Sequence, residues 1–282
     1  MIIVLKNELG RFEVGGGKHP KARLQEITGL GIPAKENKTI VFEGQPGQTL
    51  KQSRDLERTI TMSFDFFGDE RTVRELYKII YEPVTIYFYL SNGEQRKIVG
   101  HCTKNTDIKN IIYHQWQSIA LQFVCYDPYF YDFYDASQAI SENFDQWPNN
   151  ITDGVWDIVI PSIATLRSNN SSVYVNGDVK VYPVITIQAL QKNEQPIALI
   201  NNTTGKRITL NYNISEGEVV TVNLPTRVIE SNINGNITNC ISDDTVLGDF
   251  YLLRGSNDIA VATTGNIFVV VRFSNKYMSV VI

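Results

Sequence analysis

The sequence has no long hydrophobic run and no secretion signal. No apolar run in the 282 residues approaches the roughly 18 consecutive apolar residues that a helix needs to cross a bilayer, so we expect no membrane span. The amino terminus, MIIVLKNELGRFEVGGG, lacks the basic region and the apolar core of a signal peptide. We therefore expect the protein to be made in the cytoplasm.

Cysteine and histidine are scarce and are not spaced as metal or redox sites. Three cysteines and three histidines occur: Cys102, Cys125, Cys240, His19, His101 and His114. The cysteines are odd in number and form no CxxC pair, which favours buried free thiols over a disulfide or a metal site. The histidines fit no HExxH or HxH frame. We expect no metal and no cofactor.

Catalytic motifs are also missing. Gly15-Gly16-Gly17-Lys18 lacks the GxxxxGK[ST] frame of a phosphate-binding loop, and no GxSxG occurs. Asp243, Asp244 and Asp249 are the candidate carboxylates for glycoside hydrolysis, which needs a pair held across a cleft. Neighbouring Asp243 and Asp244 would point to opposite faces of a strand, so turn positions explain them better. We predict no catalytic residue and no enzyme.

Charge and composition divide the chain into two halves. The net charge of -4 argues against a dedicated nucleic-acid binder. Residues 1–135 hold 17 basic and 17 acidic residues, whereas residues 136–282 hold 9 and 13. Asparagine rises from 5 to 19 across the same point. The sequence therefore predicts two domains, residues 1–135 and residues 136–282.

The first half predicts an α+β domain with a single helix. Residues 2–5 and 11–14 form a plausible hairpin, and Arg58–Phe67 alternates apolar and polar residues as a half-buried strand does. Residues 70–81 carry helical spacing, with Asp69 as the expected cap and Pro83 as the stop. Strands at 84–90 and 95–102 flank Asn92-Gly93, a strong hairpin signal, and residues 116–126 form a long strand.

Glycine and proline interrupt the segment from Leu24 to Leu50 at short intervals. Such a segment is more typical of an extended arm or a long loop than of a packed core element, and arms of this kind need a partner surface to be ordered. We therefore predict a projecting arm at about residues 15–50.

Turn signals recur about every ten residues in the second half. They are Asn176-Gly177, Thr204-Gly205, Glu216-Gly217, Asn234-Gly235 and Thr264-Gly265. Short β-rich runs lie between them, at 181–188, 208–214, 219–224 and 267–273. This pattern predicts an antiparallel β-sandwich of the jelly-roll or lectin kind, so the whole chain is expected to be mainly β.

Aromatic residues leave two alternatives open. Trp147, Trp156, Tyr174 and Tyr182 suit a sugar-stacking platform, although Trp147-Pro148 is more simply a wedge at the domain junction. The cluster Tyr129–Tyr134 either caps the sheet and orients the second domain, or forms a contact between protomers, where aromatic residues concentrate.

Several stretches carry a resemblance to known proteins. They are QPGQTL with RTITMSFDFFGDERTVRELYKIIYEPVTIYFYL (45–90), WQSIALQFVCYDPYFYD (116–132), VYPVITI, INNTTGKRITLNY, GEVVTVN and FYLLRGSNDIAV (250–261). Together these stretches resemble the phage distal tail protein (Dit) family of siphophage-type tails. DPYFYD and LLRGSND are the more specific of them. The chain departs from the family at Arg254-Gly255, where Pro-Gly is usual.

The resemblance implies a structural virion protein of the tail tip or baseplate, which assembles in the host bacterial cytoplasm. It implies a hexameric ring of first domains, clasped by the arms, with DNA in transit through the bore. A galectin-like or carbohydrate-module-like sandwich would contact other proteins. The implied partners are the tail tube, a tail-associated lysin or fibre, and receptor-binding proteins or a host glycan. The alternatives are a carbohydrate-binding module anchored to a particle and a tail-associated hydrolase.

Overall fold

The computed structural model describes residues 1–16, 22–44, 46–67, 70–105, 116–140, 161–162, 169–194, 196–263 and 267–280. The chain divides into two compact units. Unit 1 comprises Met1–Phe133 together with Tyr277–Ile282, and unit 2 comprises Tyr134–Lys276. Unit 2 is thus inserted into unit 1, and we call Tyr277–Ile282 the return segment. No helix in these ranges is long and apolar enough to span a bilayer.

Unit 1 is a main antiparallel sheet with one helix packed on it, together with a separate two-stranded hairpin. Its elements are β1 (Ile2–Asn7), β2 (Gly10–Val14), β3 (Ala22–Thr28), β4 (Lys35–Ile40), β5 (Thr49–Asp55), β6 (Arg58–Phe67), α1 (Glu70–Tyr81), β7 (Val84–Tyr89), β8 (Gln95–Asn105), β9 (Trp116–Cys125) and β10 (Phe130–Tyr131). The strand order is β2-β1-β7-β8-β9-β6-β3. Gly15 N–H donates to Ala22 O (2.9 Å), which joins the two edge strands β2 and β3.

The core of unit 1 follows the alternation of its strands. Ile60, Met62, Phe64 and Phe66 all point inward from β6, as the two-residue period predicts. Helix α1 buries Val73, Leu76, Ile79 and Ile80, contacts β1, β2 and β8, and ends two residues before Pro83. The predicted cap Asp69 lies outside the described residues. The helix, β6 and the hairpins β1–β2 and β7–β8 are confirmed.

Unit 2 is a sandwich of two antiparallel sheets. Its elements are β11 (Ala136–Ile140), β12 (Pro161–Ser162), β13 (Asn169–Val175), β14 (Val184–Ala189), β15 (Ile197–Asn201), β16 (Lys206–Leu210), β17 (Val219–Asn223), β18 (Val228–Ser231), β19 (Gly235–Asn236), the 3₁₀ turns Thr238–Cys240 and Leu247–Asp249, β20 (Gly255–Ala262) and β21 (Ile267–Phe273). The short strand β22 (Lys276–Tyr277) follows. One sheet has the order β11-β21-β14-β17-β18-β19 and the other β13-β20-β15-β16. Their inward side chains form one shared core, which confirms the mainly β fold.

A buried carboxylate organises one turn of unit 2. Glu218 is fully buried, and its Oε1 accepts hydrogen bonds from Tyr212 Oη (2.6 Å) and Ser231 Oγ, while Oε2 accepts from Ser215 N (2.8 Å). Burial alone would raise the pKa of Glu218, but these hydrogen bonds outweigh it, so the pKa lies below its usual value. Glu218 is therefore charged and fully hydrogen-bonded near neutral pH.

Candidate assembly surface

Strands β4 and β5 form a hairpin apart from the main sheet, and we call Lys35–Asp55 the arm. The two strands pair only with each other, from Lys35 opposite Asp55 to Ile40 opposite Thr49. Almost every residue of these strands is exposed. A lone two-stranded hairpin is marginally stable in water. The arm therefore has the structure of an element that another surface completes.

Part of the predicted arm belongs instead to the main sheet. Residues Ala22–Thr28 are β3, which pairs with β6 through a bulge between Leu24 and Glu26. Ala22 is fully buried against the core of unit 1. The expectation of an arm beginning near residue 15 was thus too broad, because the bulge breaks the alternation by which a strand is recognised.

The end of the arm carries exposed apolar side chains. Val41 is 65% exposed, Phe42 49% and Leu50 57%, and Ile40 beside them is also exposed. Single exposed apolar residues are ordinary, but a group of them at one end of a hairpin marks an interaction surface. We call Ile40, Val41, Phe42 and Leu50 the arm tip.

The base of the arm is fixed by several interactions. Leu56 N–H donates to Ala34 O (2.8 Å), which closes the hairpin. Tyr129 Oη donates to Asp55 Oδ2, and Lys35 Nζ lies 3.8 Å from Asp55 Oδ1. Burial raises the pKa of Tyr129, and the hydrogen bond to Asp55 raises it further, so this phenol stays protonated as a donor.

Arg58 joins its own strand to three other segments at the arm base. Its side chain lies in the interior, and the residue is only 4% exposed. It donates to the carbonyl oxygens of Pro128 (Nε, 2.7 Å), Gly29 (Nη1, 2.6 Å), Gly31 (Nη1, 2.5 Å) and Met278 (Nη2, 2.6 Å). The guanidinium also lies over the ring of Phe130, 4.5 Å from its centroid. Burial lowers the pKa of Arg58, but a guanidinium keeps its charge in proteins.

Gly29 leaves room for this junction. Its φ is +86°, and a Cβ there would lie 2.0 Å from the carbonyl oxygen of Thr59 on β6. Only glycine combines that backbone conformation with so close an approach. The chain therefore turns out of β3 toward the arm at a position that a side chain would block.

The DPYFYD stretch is mostly packing and hydrogen bonding within unit 1. Asp127 accepts from Tyr129 N (3.2 Å) and from Tyr131 Oη, while Phe130 is fully buried edge-on to Phe88 (5.6 Å between centroids). Burial and the bond to Asp127 raise the pKa of Tyr131. Of the cluster's two alternatives, these contacts support capping of the sheet for Tyr129–Tyr131.

The return segment attaches beside this stretch. The Arg96 guanidinium pairs with Asp132 (3.1 Å) and lies 3.8 Å from the ring centroid of Tyr277. Tyr277 Oη in turn donates to Asp132 Oδ2 (3.2 Å). Burial, and next the Asp132 charge, raise the pKa of Tyr277 to about 12. Neither the return segment nor the role of Arg58 was predicted. The one sequence signal for the role of Arg58 was its place at the start of β6, a strand whose other inward positions are apolar.

The candidate carboxylates lie in a turn and in an ion pair. Asp243 and Asp244 lie in a turn, as predicted, and Asp249 pairs with Lys206 (3.0 Å). An open depression of about 510 Å³ borders Asp249 and is lined by Arg227, Ile241, Thr245, Val246, Leu247, Gly248 and Asp249. Its lining supplies one carboxylate where glycoside hydrolysis needs two.

The remaining candidate residues are dispersed. Tyr174 is exposed on β13, whereas Tyr182 is half-buried edge-on to Tyr251 (6.2 Å between centroids). His101 lies beside Tyr126 (5.2 Å between ring centroids). Within the described ranges no group of three or more His, Cys, Asp or Glu side chains is placed to hold a metal ion. Trp147, Trp156, His19, His114 and Lys18 lie outside the described residues.

The three cysteines are free thiols. Cys125 is buried, and Cys102 and Cys240 are half-buried. Burial raises the pKa of Cys125 to about 12 and also raises that of Cys102. Because the thiolate is the reactive form, Cys125 is unreactive at neutral pH.

The LLRGSND stretch is a turn held by a buried amide. Asn257 Nδ2 donates to the carbonyl oxygens of Leu253 (2.7 Å) and Gly255 (3.1 Å), and Oδ1 accepts from Leu253 N (2.8 Å). Gly255 has a φ of +89° with open space around it. The motif's Gly and Asn thus have structural roles, whereas the side chain of Arg254 is exposed and lies 3.8 Å from Asp178.

Gly255→Ala is expected to destabilise unit 2 by about 1–2 kcal/mol, the cost of a left-handed backbone for a residue with a Cβ. Thermal unfolding of the full chain measures this change. Gly31→Ala serves as a control, because a Cβ there meets nothing within 4 Å and its φ is not left-handed. If Gly255→Ala and the native chain had the same melting temperature, the left-handed backbone at position 255 would not require glycine, and the prediction would be wrong.

Comparison with known proteins finds a family match for part of the chain. Residues 176–277 match the family model described as siphovirus-type tail component, C-terminal domain. No protein with a curated description matches the sequence.

Two solved structures share the fold of the whole chain. The Dit protein of phage SPP1, described as a paradigm of the hub adsorption apparatus in phages that infect Gram-positive bacteria, is 15% identical. The match covers 91% of this chain and 93% of that one, with a TM-score of 0.65. A chain of the phage P2 baseplate in its activated, calcium-bound conformation is 10% identical over 99% of each chain, with a TM-score of 0.54. At these identities the likeness establishes the fold. Residues 176–277 thus match the C-terminal domain of the siphovirus-type tail component, and the chain as a whole resembles the SPP1 Dit protein in its fold.

Proposed function

We propose that this chain forms the hexameric hub ring of a siphovirus-type tail. Unit 1 forms the ring, and unit 2 forms an outer β-sandwich. The ring joins the tail tube to a tail-associated lysin or fibre and to receptor-binding proteins or a host glycan, and DNA passes through its channel. The protomers assemble in the host bacterial cytoplasm, and the chain has no enzymatic activity.

The arm is the observation that carries this proposal. An exposed hairpin with four apolar side chains at its end gains stability when it packs on another surface. A second copy of the chain is the natural surface, because an arm that reaches the next protomer in a head-to-tail contact generates a ring when the rotation closes. The fixed base of the arm favours binding to the next protomer, since a preorganised element loses less entropy on binding.

Charge on the arm also suits protein contact. The ion pairs Arg54–Glu36 (2.5 Å) and Lys35–Asp55 (3.8 Å) neutralise four of its charges. Residues 1–135 as a whole are balanced, with 17 basic and 17 acidic residues. A strongly basic ring would bind the phosphates of passing DNA. Balanced charge therefore favours transit over retention.

The double variant Val41→Glu/Phe42→Glu is expected to convert rings into monomers. Two charges at the arm tip would have to be buried without partners in the contact, at a cost of several kcal/mol. The tip is exposed in the protomer, so the melting temperature of the isolated protomer should stay the same. Light scattering measures the mass, and negative-stain images show whether rings form.

Ile233→Glu is the matched control. Ile233 is 61% exposed in unit 2, close to the exposed fraction of Val41, but it lies outside the arm. This variant should assemble like the native chain. Rings of normal size from the arm-tip variant would refute the role of the arm. A native chain that stays monomeric and binds cell-wall glycan would favour the carbohydrate-binding module instead.

A further inference from the structure

Three consecutive carbonyl groups at the arm base are each held by a group from elsewhere in unit 1. Gly29 O and Gly31 O accept from Arg58 Nη1, and Leu30 O between them accepts from Val280 N (3.0 Å). This segment connects β3 to the arm. Two of its three residues are glycines, which fix few backbone angles by themselves. The direction of the arm therefore depends on these three hydrogen bonds.

The return segment supplies two of the groups at this junction. Val280 N–H binds Leu30 O, and Met278 O accepts the Nη2 hydrogen bond of Arg58. Leu30 and Val280 are both buried, so water does not readily replace their hydrogen bond. Without the return segment, Leu30 O would lose its donor and the guanidinium would lose one of its four acceptors.

The return segment is itself anchored at a second point. Tyr277 lies under the Arg96 guanidinium and donates to Asp132. This anchor precedes Met278 and Val280 by one and three residues. It therefore holds the segment in place as it crosses Arg58 and Leu30.

We propose that the return segment is a clamp that sets the direction of the arm and so makes a protomer competent for assembly. The segment follows unit 2 in the chain, so the clamp forms only after all of unit 2 has been synthesised. An incomplete protomer would have an arm whose base is loose, and a loose arm binds its neighbour at a higher entropic cost. The assembly part of this inference rests on the proposed function of the arm.

Hydrogen exchange of the full-length protomer tests the clamp directly. Val280→Pro removes the N–H that Leu30 O accepts, and Val280→Ala keeps this N–H while it trims the buried side chain. With Val280→Pro, the amide of Leu56 and the paired amides of β4 and β5 should exchange roughly tenfold faster or more, the loss expected for one buried hydrogen bond. With Val280→Ala, the change at these amides should be clearly smaller. Amides of β6 and β9 should stay protected in both variants.

A chain that stops after Tyr277 is the second variant. It keeps the ring under Arg96 but loses Met278 O and Val280 N–H. We expect the same local loss of protection at the arm base, together with a lower yield of rings in light scattering. If the shortened chain loses protection throughout unit 1, it is destabilised as a whole. The comparison of Val280→Pro with Val280→Ala then decides whether the clamp exists.

The hydrogen-exchange and assembly measurements test separately whether the clamp exists and whether it matters for assembly. Native exchange rates at the arm base in Val280→Pro, or equal rates in the proline and alanine variants, would overturn the clamp. Faster exchange with normal ring formation would leave the clamp in place and refute its role in assembly. Failure of the native chain to form rings would refute the proposed function, while the exchange result would still report on the clamp.

Discussion

Arg58→Met is expected to lower the free energy of unfolding of unit 1 by about 3–5 kcal/mol, the cost of removing one member of a buried charged network. Methionine fills much of the space of the arginine stem but donates no hydrogen bond. Four carbonyl oxygens would lose their donor, and each buried polar group left unpaired costs about 1–3 kcal/mol unless water reaches it. Denaturant-dependent hydrogen exchange of the β6 and β9 amides measures the stability of unit 1 within the full chain.

Arg54→Met is the matched control for this change. Arg54 is exposed on the arm and pairs with Glu36 (2.5 Å), and exposed ion pairs contribute at most about 1 kcal/mol. Arg58→Lys should fall between the two, because an ammonium keeps the charge but cannot reach four carbonyls in different directions. A loss below 1 kcal/mol in Arg58→Met would mean that water or a shift of the backbone satisfies the carbonyls.

Glu218→Ala is expected to destabilise unit 2 by about 2–4 kcal/mol. The carboxylate accepts hydrogen bonds from Tyr212, Ser231 and Ser215, and hydrogen bonds to a charged group contribute about 1.5–3 kcal/mol each. The net loss is smaller than their sum, because the alanine variant no longer has to bury a charge. Chemical denaturation followed by amide exchange in β17 and β18 measures the change. Glu216→Ala, two residues away and exposed, is the control and should have little effect.

The same carboxylate predicts how the stability of unit 2 depends on pH. The pKa of Glu218 is lower in the folded protein than in the unfolded chain, where a glutamate titrates near about 4.3. The stabilisation by Glu218 is therefore complete above that pH and is lost as the pH falls through the lower folded pKa. In Glu218→Gln this part of the acid dependence should disappear. An unchanged acid profile in the glutamine variant would assign the dependence to other groups.

Regular periods made some elements predictable, and long-range contacts made others unpredictable. The strand Arg58–Phe67 and the helix Glu70–Tyr81 have the bounds predicted from their two-residue and helical periods. Strand β3 was not recognised, because its bulge at Gln25 shifts the register. Arg58 looked like a strand-end residue, since nothing local shows that its partners lie up to 220 positions away. The apolar arm tip was not predicted, because the glycines and prolines of this segment indicated an extended arm or a long loop without showing which residues lie at its end.

Insertion of unit 2 between Phe133 and Tyr277 has a consequence for exchanging the sandwich between related chains. A fragment cut at the composition boundary near residue 135 would leave Leu30 O without its donor and the face of Arg96 without the Tyr277 ring. Because Tyr277 contacts Asp132, a short linker between the two junctions would restore both partners to an isolated unit 1. A different sandwich could be grafted at the same two junctions, so the chain could exchange its second unit while the sequence around its arm stays the same.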